Sequence, residues 1–573
     1  MDWCGGGLQL SPKRTCAAVQ CACDALALSI VGACVTEFDF IVVGAGSAGC
    51  VLANRLTASG RHSVLLIEAG GSDQRFWLKA PIGYGMSFYN PDVNWMYHTE
   101  PDPGLGGRQG YWPRGKVLGG SSSINAMVFV RGQPTDFDHW AELGNRGWGW
   151  SDVLPYFKKM EDSDHGPNAR RGSGGPLHVN DVSRDVHPLC ETYLLAGTQA
   201  GLVRNPDING ESSEGVAINQ ITTRNGLRES ASTAYLRPAL RRANLCLEIG
   251  AHGTRVLFDG LRARGVEYRQ RGQVRSCRAR CEVILAGGAI NTPQLLQLSG
   301  VGPADALHAL GIPVLLDSPA VGQHLQDHLC IDYVYRSNVP TLNQQLGSWP
   351  GKLWAGLQYL STRRGPLSLS INQGGGFFRS RPGLAHPNMQ LYFSPLSYMG
   401  AVPGKRALTA PDKFAGFSIC AQPCRPSSRG YLQLQGKDPL QAPRIVANSL
   451  ATQHDLDEMV EAAQFVRLLS ATPAFRAVID HEIAPGPGVQ TREQVLNDIR
   501  LRASTVFHPV STCRMGPDPR QAVVDHELRV HGVSGLRVID ASVFPTLTSG
   551  NTNAPTLMLA EKGADMVLAA TPH

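Results

Sequence analysis

The sequence predicts a mixed α/β fold whose parallel sheet carries a nucleotide-binding turn. The β-prone run 38–43 leads into Gly44-Ala45-Gly46-Ser47-Ala48-Gly49, and a helical pattern follows the glycines. A second β-prone run ends on Glu68, about 20 residues further on. Glycines at this spacing allow a tight turn and a close approach of pyrophosphate to the backbone, and the acidic residue binds ribose hydroxyls. Strand, turn, helix and acid together form a Rossmann-like βαβ fingerprint, which is far more specific than the glycines alone.

The last eighth of the chain places one histidine and one asparagine in loops of small residues. His508 lies in the segment 505–516, and Asn551 follows a strand pattern that ends at Asp540. A helix is predicted to open near Asn553, so its N-terminal N–H groups and positive dipole end face the same loop. Histidine supplies a base with a pKa near neutrality, and asparagine supplies an uncharged hydrogen-bond donor. The alternative is that both are loop residues whose hydrogen bonds are satisfied locally.

Two further segments combine glycine turns with apolar runs. In 111–132, two glycines and three serines precede the apolar residues 127–130, which indicates a tight loop that lies against a ligand and then enters the core. In 283–303, a buried strand pattern, a Gly-Gly turn and a helix pattern follow one another.

These motifs together resemble the glucose–methanol–choline oxidoreductase family, flavin enzymes that oxidise alcohols. The resemblance runs from about Phe38 to Asp565 and also includes the segments 321–329 and 428–445. Within the family, the chain most resembles the bacterial acceptor-linked primary-alcohol dehydrogenases, followed by the choline dehydrogenases. The resemblance implies FAD as the cofactor, His508 as the catalytic base and Asn551 as the second catalytic residue.

The resemblance also implies a set of cofactor contacts along the chain. The glycine turn and Glu68 match the pyrophosphate and ribose contacts, the loop around Gly119 runs along the flavin, and the C-terminal segment lies beside the ribityl chain and the isoalloxazine. The matching positions are Gly44, Gly46, Ser47, Ala48, Gly49, Glu68, Ala69, Val117, Gly119, Gly120, Ser122, Asn125, Ala126, Met127, Val128, Val256, Asp540, Ala541, Asn551, Asn553, Pro555 and Thr556.

Three residues depart from the family pattern. Ile124 stands where some relatives attach flavin covalently through a histidine, so we expect non-covalent FAD. Ser511 stands where glycine is usual, which puts the shape of the pocket in question, and His324 replaces the usual asparagine. Asp327 and His328 are interpreted as a structural turn and not as a second acid–base pair.

The implied reaction is FAD-dependent oxidation of a primary alcohol to an aldehyde, with hydride transfer to flavin N5. The sequence contains only one dinucleotide-binding fingerprint. The glycine-rich run 104–110 is not a second one, because its glycines have a different spacing and no strand precedes them. We therefore expect electrons to pass to a quinone or another acceptor that is not NAD. The alternatives are a choline dehydrogenase, an alcohol oxidase that uses oxygen, and a non-redox FAD enzyme of the same fold, such as a lyase or a light-driven decarboxylase.

The family pattern implies two domains that are interleaved along the chain. The FAD-binding domain takes residues 37–165, 220–325 and 505–573, and the substrate-binding domain, built on an antiparallel sheet with helices, takes 166–219 and 326–504. Residues 1–36 lie before the resemblance begins, and we expect a disordered or non-native extension there. A basic pair and the sequence VGAC at 31–34 imitate an export signal, but the first strand begins only a few residues later.

Composition excludes several other classes of protein. The net charge of +6 is spread along the chain without a Lys/Arg run, so no nucleic-acid partner is expected. Nine of the 14 cysteines lie after residue 36 without metal-ligand spacing, which predicts reduced thiols in the cytoplasm and no metal. The segment 349–364 has an apolar helical face that either packs on the core or rests on the inner face of the cell membrane.

Charge distribution also bears on the substrate. No Asp or Glu occurs from Tyr333 to Pro411, a stretch in the predicted substrate domain, although Asp332 or Asp412 could reach the pocket from outside it. Choline requires stabilisation of a quaternary ammonium group by aromatic rings and a carboxylate. The stretch therefore predicts a neutral primary alcohol as substrate, and poor oxidation of choline.

Overall fold

The computed structural model describes residues 37–399 and 411–571, so the predicted extension 1–36 lies outside the described residues. The strands, in chain order, are β1 (Glu37–Val43), β2 (Val64–Glu68), β3 (Tyr97–His98), β4 (Tyr111–Trp112), β5 (Glu161–Ser163), β6 (Leu177–Val179), β7 (Gly215–Ile218), β8 (Thr223–Arg224), β9 (Leu227–Arg228), β10 (Leu245–Ile249), β11 (Ala251–Asp259), β12 (Arg262–Gln270), β13 (Gln273–Leu285), β14 (Val301–Gly302), β15 (Leu316–Asp317), β16 (Leu329–Ser337), β17 (Gly374–Phe378), β18 (Met389–Ser394), β19 (Gly416–Pro423), β20 (Tyr431–Gln433), β21 (Arg444–Val446), β22 (Ile479–Ala484), β23 (Ser504–Thr505) and β24 (Leu536–Val538).

The α-helices are α1 (Ser47–Thr57), α2 (Phe76–Lys79), α3 (Tyr84–Ser87), α4 (Pro134–Glu142), α5 (Trp150–Met160), α6 (Leu189–Gln199), α7 (Arg237–Ala239), α8 (Gly288–Leu298), α9 (Ala304–Ala309), α10 (Leu342–Gly347), α11 (Trp349–Thr362), α12 (Gln453–Ser470), α13 (Pro473–Arg476), α14 (Arg492–Arg502) and α15 (Asn553–Ala570).

The first sheet is the parallel core predicted from the glycine turn. Its order is β10-β2-β1-β13-β12-β11, with β24 also paired to β13, and β10, β2, β1, β13 and β24 run parallel. β2 is buried along its whole length, as a parallel strand covered on both faces must be. Helices α1 and α15 pack on each other beside this sheet, and α15 is apolar on nearly all sides because it lies inside the core.

The second sheet is antiparallel, with the order β17-β18-β19-β16-β22, and β23 adds to the end of β16. Alternation along β16 separates its two faces. Ile331, Tyr333 and Tyr335 join a hydrophobic cluster that includes residues of α12. Cys330 and Asp332 point to the other face, where a cavity lies between the two sheets.

The structure confirms the predicted fold class, a Rossmann-like parallel sheet together with an antiparallel sheet and helices. The domain boundaries stay a prediction, although five of the six strands of the second sheet fall within 326–504 and β23 crosses that boundary by one residue. Among the described residues, no helix is long and apolar enough to cross a membrane.

Candidate active site

A cavity of about 1050 Å³ extends from the carboxyl ends of the parallel strands to the open face of the antiparallel sheet. One end is lined by the glycine turn after β1, by Glu68 and by the start of β11. The other end is lined by His508, Asn551 and side chains of β16, β18 and β19. The cavity therefore joins the two ends of the chain that the sequence motifs single out.

The turn after β1 has no room for side chains at its first and last glycines, Gly44 and Gly49. Gly44 adopts a φ of 102°, and a Cβ atom on it would lie 2.5 Å from the Ala286 carbonyl oxygen. A Cβ on Gly49 would overlap the carbonyl oxygen of Gly44. A Cβ on Gly120 would lie 2.7 Å from the Cα of Gly46, so the loop that begins at Gly119 rests directly on the turn. This end of the cavity is a surface of bare backbone, which suits a pyrophosphate.

Glu68 closes β2 with its carboxylate in the cavity wall. One oxygen accepts a hydrogen bond from the Ala45 N–H at 2.8 Å, and the other accepts one from the Gly70 N–H, also at 2.8 Å. Burial raises the pKa of Glu68 to about 7, against the effect of these two N–H groups, which favour the ionised form. The carboxylate is thus held rigidly at the position where the fingerprint requires a ribose ligand.

Most of the predicted cofactor residues line this cavity. Those that line it are Gly44, Gly46, Ser47, Ala48, Glu68, Ala69, Gly120, Asn125, Ala126, Met127, Val128, Asp540, Ala541, Asn551, Asn553 and Thr556. The predicted residues that lie behind its wall are Gly49, Val117, Gly119, Ser122, Val256 and Pro555.

Val256 differs most from its predicted position at the adenine end. Its side chain is buried in the main core, and its N–H donates to Ser299 Oγ at 2.9 Å. Ala251, His252 and Gly253, at the start of the same strand, line the cavity instead. Only the first residues of β11 therefore border the cavity, and the predicted contact of Val256 with the adenine end stays a prediction.

His508 and Asn551 lie side by side at the other end. Asn551 Nδ2 is 3.2 Å from His508 Nε2, and His508 Nδ1 is 3.0 Å from His328 Nδ1. His328 Nε2 is 2.9 Å from the carbonyl oxygen of Cys424. Because a carbonyl oxygen can only accept, His328 carries its proton on Nε2, and its Nδ1 accepts the proton of His508 Nδ1. These assignments leave a lone pair on His508 Nε2, which accepts a hydrogen bond from Asn551 Nδ2.

The backbone around His508 is fixed by charged groups. The carboxylate of Asp327 accepts the His508 N–H at 2.7 Å and also the hydroxyl of Thr505. Arg114 Nη2 donates to the Phe507 carbonyl at 2.6 Å. Burial raises the pKa of Asp327 to about 6 and lowers that of Arg114 to about 10. Asp327 therefore positions the backbone at His508, although it lies in an extended segment just before β16 and not in the predicted turn.

His508 is held in its neutral form. Burial lowers its pKa well below the usual value, and the positive charge of Arg114 and the neighbouring His328 lower it further. Burial also lowers the pKa of His328 to about 4. Both imidazoles are thus uncharged at neutral pH, and His508 can accept a proton at Nε2.

The interpretation of His328 as a purely structural residue is incomplete, because His328 contacts His508 directly and determines its tautomer. The sequence contains only a weak indication that His328 contacts His508. His328 comes just before a strand pattern whose alternate positions, Cys330 and Asp332, line the cavity. That alternation identifies the face of the strand but not the partner on the distant segment 505–516.

Asp332, one of the two carboxylates that the sequence allowed to reach the pocket, does line the cavity. Its carboxylate lines the cavity and accepts a hydrogen bond from the Cys420 thiol of the next strand. Arg502 donates to the Asp332 backbone carbonyl at 2.7 Å. Burial raises the pKa of the Asp332 carboxyl, whereas Cys420 and the charge of Arg502 favour its ionised form. The stretch 333–411 contains no acid, but the preceding residue brings one into the pocket.

The two remaining departures from the family pattern lie outside the cavity. Ser511 has a φ of 75°, a conformation that favours glycine, and its Oγ accepts a hydrogen bond from Gln326 Nε2 at 2.9 Å. His324 also has a positive φ and faces Arg514 and Arg429, which together with burial lower its pKa to about 4. Neither side chain lines the described cavity, so the expected change in pocket shape at Ser511 is not seen.

Comparisons with known proteins agree with this geometry. Two models described as GMC oxidoreductase match residues 38–330 and 426–560. The chain belongs to the GMC oxidoreductase family. This confirms the resemblance, and it makes the chain an oxidoreductase that acts on CH–OH donors with FAD as cofactor.

Relatives of this GMC oxidoreductase include two choline dehydrogenases. The mitochondrial choline dehydrogenase of Mus musculus is 42% identical over 541 residues, which cover 93% of this chain and 89% of the relative. The oxygen-dependent choline dehydrogenase of Photobacterium profundum is 40% identical over 540 residues, which cover 94% of this chain and 94% of the relative. Among solved structures, pyridoxine 4-oxidase from Mesorbium loti superposes with a TM-score of 0.84 at 30% identity and covers 93% of this chain and 100% of its own. A formate oxidase superposes with a TM-score of 0.85 at 27% identity, and the match covers 93% of this chain and 98% of the formate oxidase.

The residues of this GMC oxidoreductase fit FAD on structural grounds. The glycine turn presents backbone without side chains to the cavity, and Glu68 presents a buried carboxylate beside it. Helix α15 begins at Asn553 without an acidic residue in its first turn, so its positive dipole end faces the cavity unneutralised. Ser47 Oγ donates to Asn553 Oδ1 at 2.8 Å and ties the two helix starts together. That FAD binds non-covalently stays a prediction.

Proposed function

We propose that this chain oxidises a primary alcohol to an aldehyde, with His508 as the base that accepts the hydroxyl proton. The observation that carries this proposal is the lone pair of His508 Nε2, which lies next to Asn551 in the cavity and belongs to an imidazole whose pKa is depressed. An alcohol hydroxyl loses its proton only to a positioned base, and such a base contributes about 10²- to 10⁴-fold in rate.

Bound FAD supplies the two-electron acceptor for the hydride that leaves the alcohol carbon. His508 Nε2 takes the hydroxyl proton while Nδ1–H continues to donate to His328. Because His328 is neutral and accepts through Nδ1, it stabilises the imidazolium without adding a second charge. Asn551 Nδ2 orients the substrate oxygen, and its own carbonyl is held by Tyr392 and Gln390, each at 3.4 Å.

The carboxylate of Asp332 favours a substrate that carries a cationic head group, as choline does. Asp332, Cys420 and Tyr392 are paired across three adjacent strands, and Tyr392 contacts Asn551. Asp332 lies on β16, four residues after His328, which corresponds to about 13 Å of extended chain. The cavity wall thus brings together a base, the ring of Tyr392 and a carboxylate, an arrangement that suits an alcohol with an ammonium group. The choline dehydrogenases among the relatives support the same substrate class.

A neutral primary alcohol is the second candidate. Cys330, Val334 and Met399 supply apolar wall around Asp332, and burial raises the pKa of that carboxyl toward its uncharged form. An apolar tail would gain about 0.8 kcal/mol for each buried CH₂ group. The acceptor that we propose is a quinone or another oxidant that is not NAD, because the fold has one dinucleotide fingerprint. Oxygen is the alternative acceptor, as the name of the Photobacterium relative indicates for that protein.

The test is anaerobic mixing of the FAD-loaded protein with choline, hexanol and benzyl alcohol while the flavin absorbance is recorded. We expect bleaching by choline with the highest second-order rate constant. In Asp332→Asn this constant should fall by about tenfold or more, since a charged contact is lost, while the hexanol constant stays the same. Asp332→Glu keeps the charge and serves as the control.

The outcomes separate the candidates. A larger rate constant for hexanol or benzyl alcohol, with no effect of Asp332→Asn, would establish the neutral-alcohol candidate instead. If no alcohol bleaches the flavin, the oxidation itself is refuted, and a non-redox reaction on the same fold takes its place.

A further inference from the structure

Helix α11 presents apolar side chains to solvent. Trp349 is 75% exposed, Trp354 66% and Leu360 62%, and Leu353 and Leu357 are each about half exposed. At 100° per residue, these five side chains share one broad face of the helix. The sequence allowed this face either to pack on the core or to rest on a membrane, and the structure shows that it does not pack on the core.

The opposite, narrow face holds the helix in place. Ala355 and Tyr359 are fully buried, and the Tyr359 hydroxyl donates to the Gly226 carbonyl at 2.9 Å. Ala355 packs in a small cluster with Leu342, Leu346 and Leu396. The helix begins with Ser348, whose Oγ accepts the Gly351 N–H, so it is also capped. α11 is therefore anchored rigidly with its apolar side outward.

The apolar surface continues onto a neighbouring helix. The ring of Phe76 lies 6.5 Å from that of Tyr359 and 4.9 Å from that of Trp77, and both Phe76 and Trp77 are about half exposed. This patch, made of α11 and Phe76-Trp77, lies beside the mouth of the cavity. Tyr398 packs against the inner cluster of α11 and lines the cavity, and the adjacent Met399 also lines it and is half exposed.

The charges on α11 and directly after it have one sign. The segment 349–364 contains Lys352, Arg363 and Arg364 and no acidic residue. All three cations are exposed, and the two arginines follow directly after the helix. Tryptophans together with basic residues at the edge of an apolar helical face are typical of helices that lie in the interface of a bilayer with anionic lipids.

We propose that α11 and Phe76-Trp77 form a docking surface for a phospholipid bilayer, with the mouth of the active-site cavity turned toward the membrane. Fourteen residues give a helix about 21 Å long, too short to span the hydrocarbon core but suited to lie flat on it. The two tryptophans and three leucines enter the interface, and the basic residues contact anionic head groups. In this position a lipid-soluble alcohol or electron acceptor reaches the cavity without crossing water.

The test is co-sedimentation of the full-length, FAD-loaded protein with vesicles of phosphatidylglycerol and phosphatidylcholine, and with vesicles of phosphatidylcholine alone. We expect binding to the anionic vesicles. The double variant Trp354→Gln/Leu357→Gln should lower the partition coefficient by about tenfold or more, since it removes two apolar groups from the interface. Arg363→Gln/Arg364→Gln should lower it about fivefold for each arginine on anionic vesicles only.

Leu468→Gln is the matched control, because Leu468 is as exposed as Leu357 (55% against 54%) and lies on α12, away from the patch. Its binding should equal that of the wild type. All variants should retain FAD and the rate of flavin reduction by a soluble alcohol, which shows that they are folded. Absence of wild-type binding, or equal loss in Leu468→Gln, would overturn the proposal. A wild-type dimer that Trp354→Gln/Leu357→Gln converts to a monomer, without vesicle binding, would assign the patch to self-association instead.

Discussion

The two ends of the cavity are built in different ways. The nucleotide end consists of backbone: a turn of six consecutive residues, 44–49, a loop that rests on it, and one carboxylate held by two N–H groups. The substrate end consists of side chains from segments far apart in sequence, namely His328 just before β16, Asp332 on β16, Tyr392 on β18, His508 and Asn551. The first end tolerates no added atom, whereas the second depends on hydrogen bonds that place protons.

The largest effect is expected at the nucleotide end. Gly49→Ala places a Cβ on the carbonyl oxygen of Gly44, and neither backbone segment can move without opening the turn. We expect this variant to purify without FAD. The measurement is the ratio of flavin to protein absorbance, with circular dichroism to show whether the fold is retained.

The control for this substitution is Gly71→Ala. Gly71 follows the same strand β2 by three residues, has a negative φ, and a Cβ on it would meet no atom within 4 Å. This variant should hold FAD like the wild type. Equal flavin content in Gly49→Ala and Gly71→Ala would show that the close approach at the turn is not what binds the cofactor.

At the substrate end, His508→Ala should keep FAD bound and slow flavin reduction by about 10²- to 10⁴-fold, or roughly 3–5 kcal/mol, because the proton acceptor is lost. Asn551→Ala should cost less, about 1 kcal/mol, because it removes one hydrogen bond and not the base. Stopped-flow reduction under anaerobic conditions measures both. If the wild type and His508→Ala are reduced equally fast, His508 is not the base.

The sequence predicted those parts of the site whose residues lie close together along the chain. The strand before Gly44, the turn and Glu68 are contiguous, so pattern and spacing were sufficient to predict the fold around them. The pairing of His508 with His328 spans 180 residues of chain, and no local pattern contains it. Asp332 was named only as a carboxylate that could reach the pocket, and the sequence could not decide this, because the answer depends on which face of β16 meets the cavity, a property of the folded sheet.

The same limit applies to structural residues. Arg131, Glu161 and Arg171 form a fully buried ionic cluster, in which Arg171 Nε donates to Glu161 Oε1 at 2.6 Å. Nothing in the sequence around these three residues distinguishes them from surface charges. Buried charges of this kind are recognisable only after the fold has enclosed them.

Substitution of His328, a positioning residue, should slow flavin reduction less than His508→Ala does. In His328→Leu, His508 loses the acceptor for its Nδ1 proton, so the tautomer with a free Nε2 is no longer favoured. Flavin reduction should slow by about 10- to 100-fold. His328→Gln should rescue most of the rate, because its amide can donate to the Cys424 carbonyl and accept from His508 Nδ1. Equal rates for the leucine and glutamine variants would refute the tautomer argument.

The smallest effect concerns the charge of Arg114. Its guanidinium is one of the groups that lower the pKa of His508, and the base is active only when it is deprotonated. Removal of a positive charge makes protonation of His508 easier, so Arg114→Gln should raise the pKa of His508 and move the acid limb of kcat/KM to higher pH. The shift should be less than about one pH unit, because burial is the larger cause of the depressed pKa.

Arg114→Lys keeps the charge and should leave the acid limb in place, although it loses part of the hydrogen bonding to the Phe507 carbonyl. The measurement is the pH profile of kcat/KM for both variants with the same alcohol. A shift of equal size in both would trace the effect to that hydrogen bond and not to the charge. A shift to lower pH in Arg114→Gln would contradict the assignment of His508 as a base that must be neutral, since loss of a cation cannot lower the pKa of an imidazole.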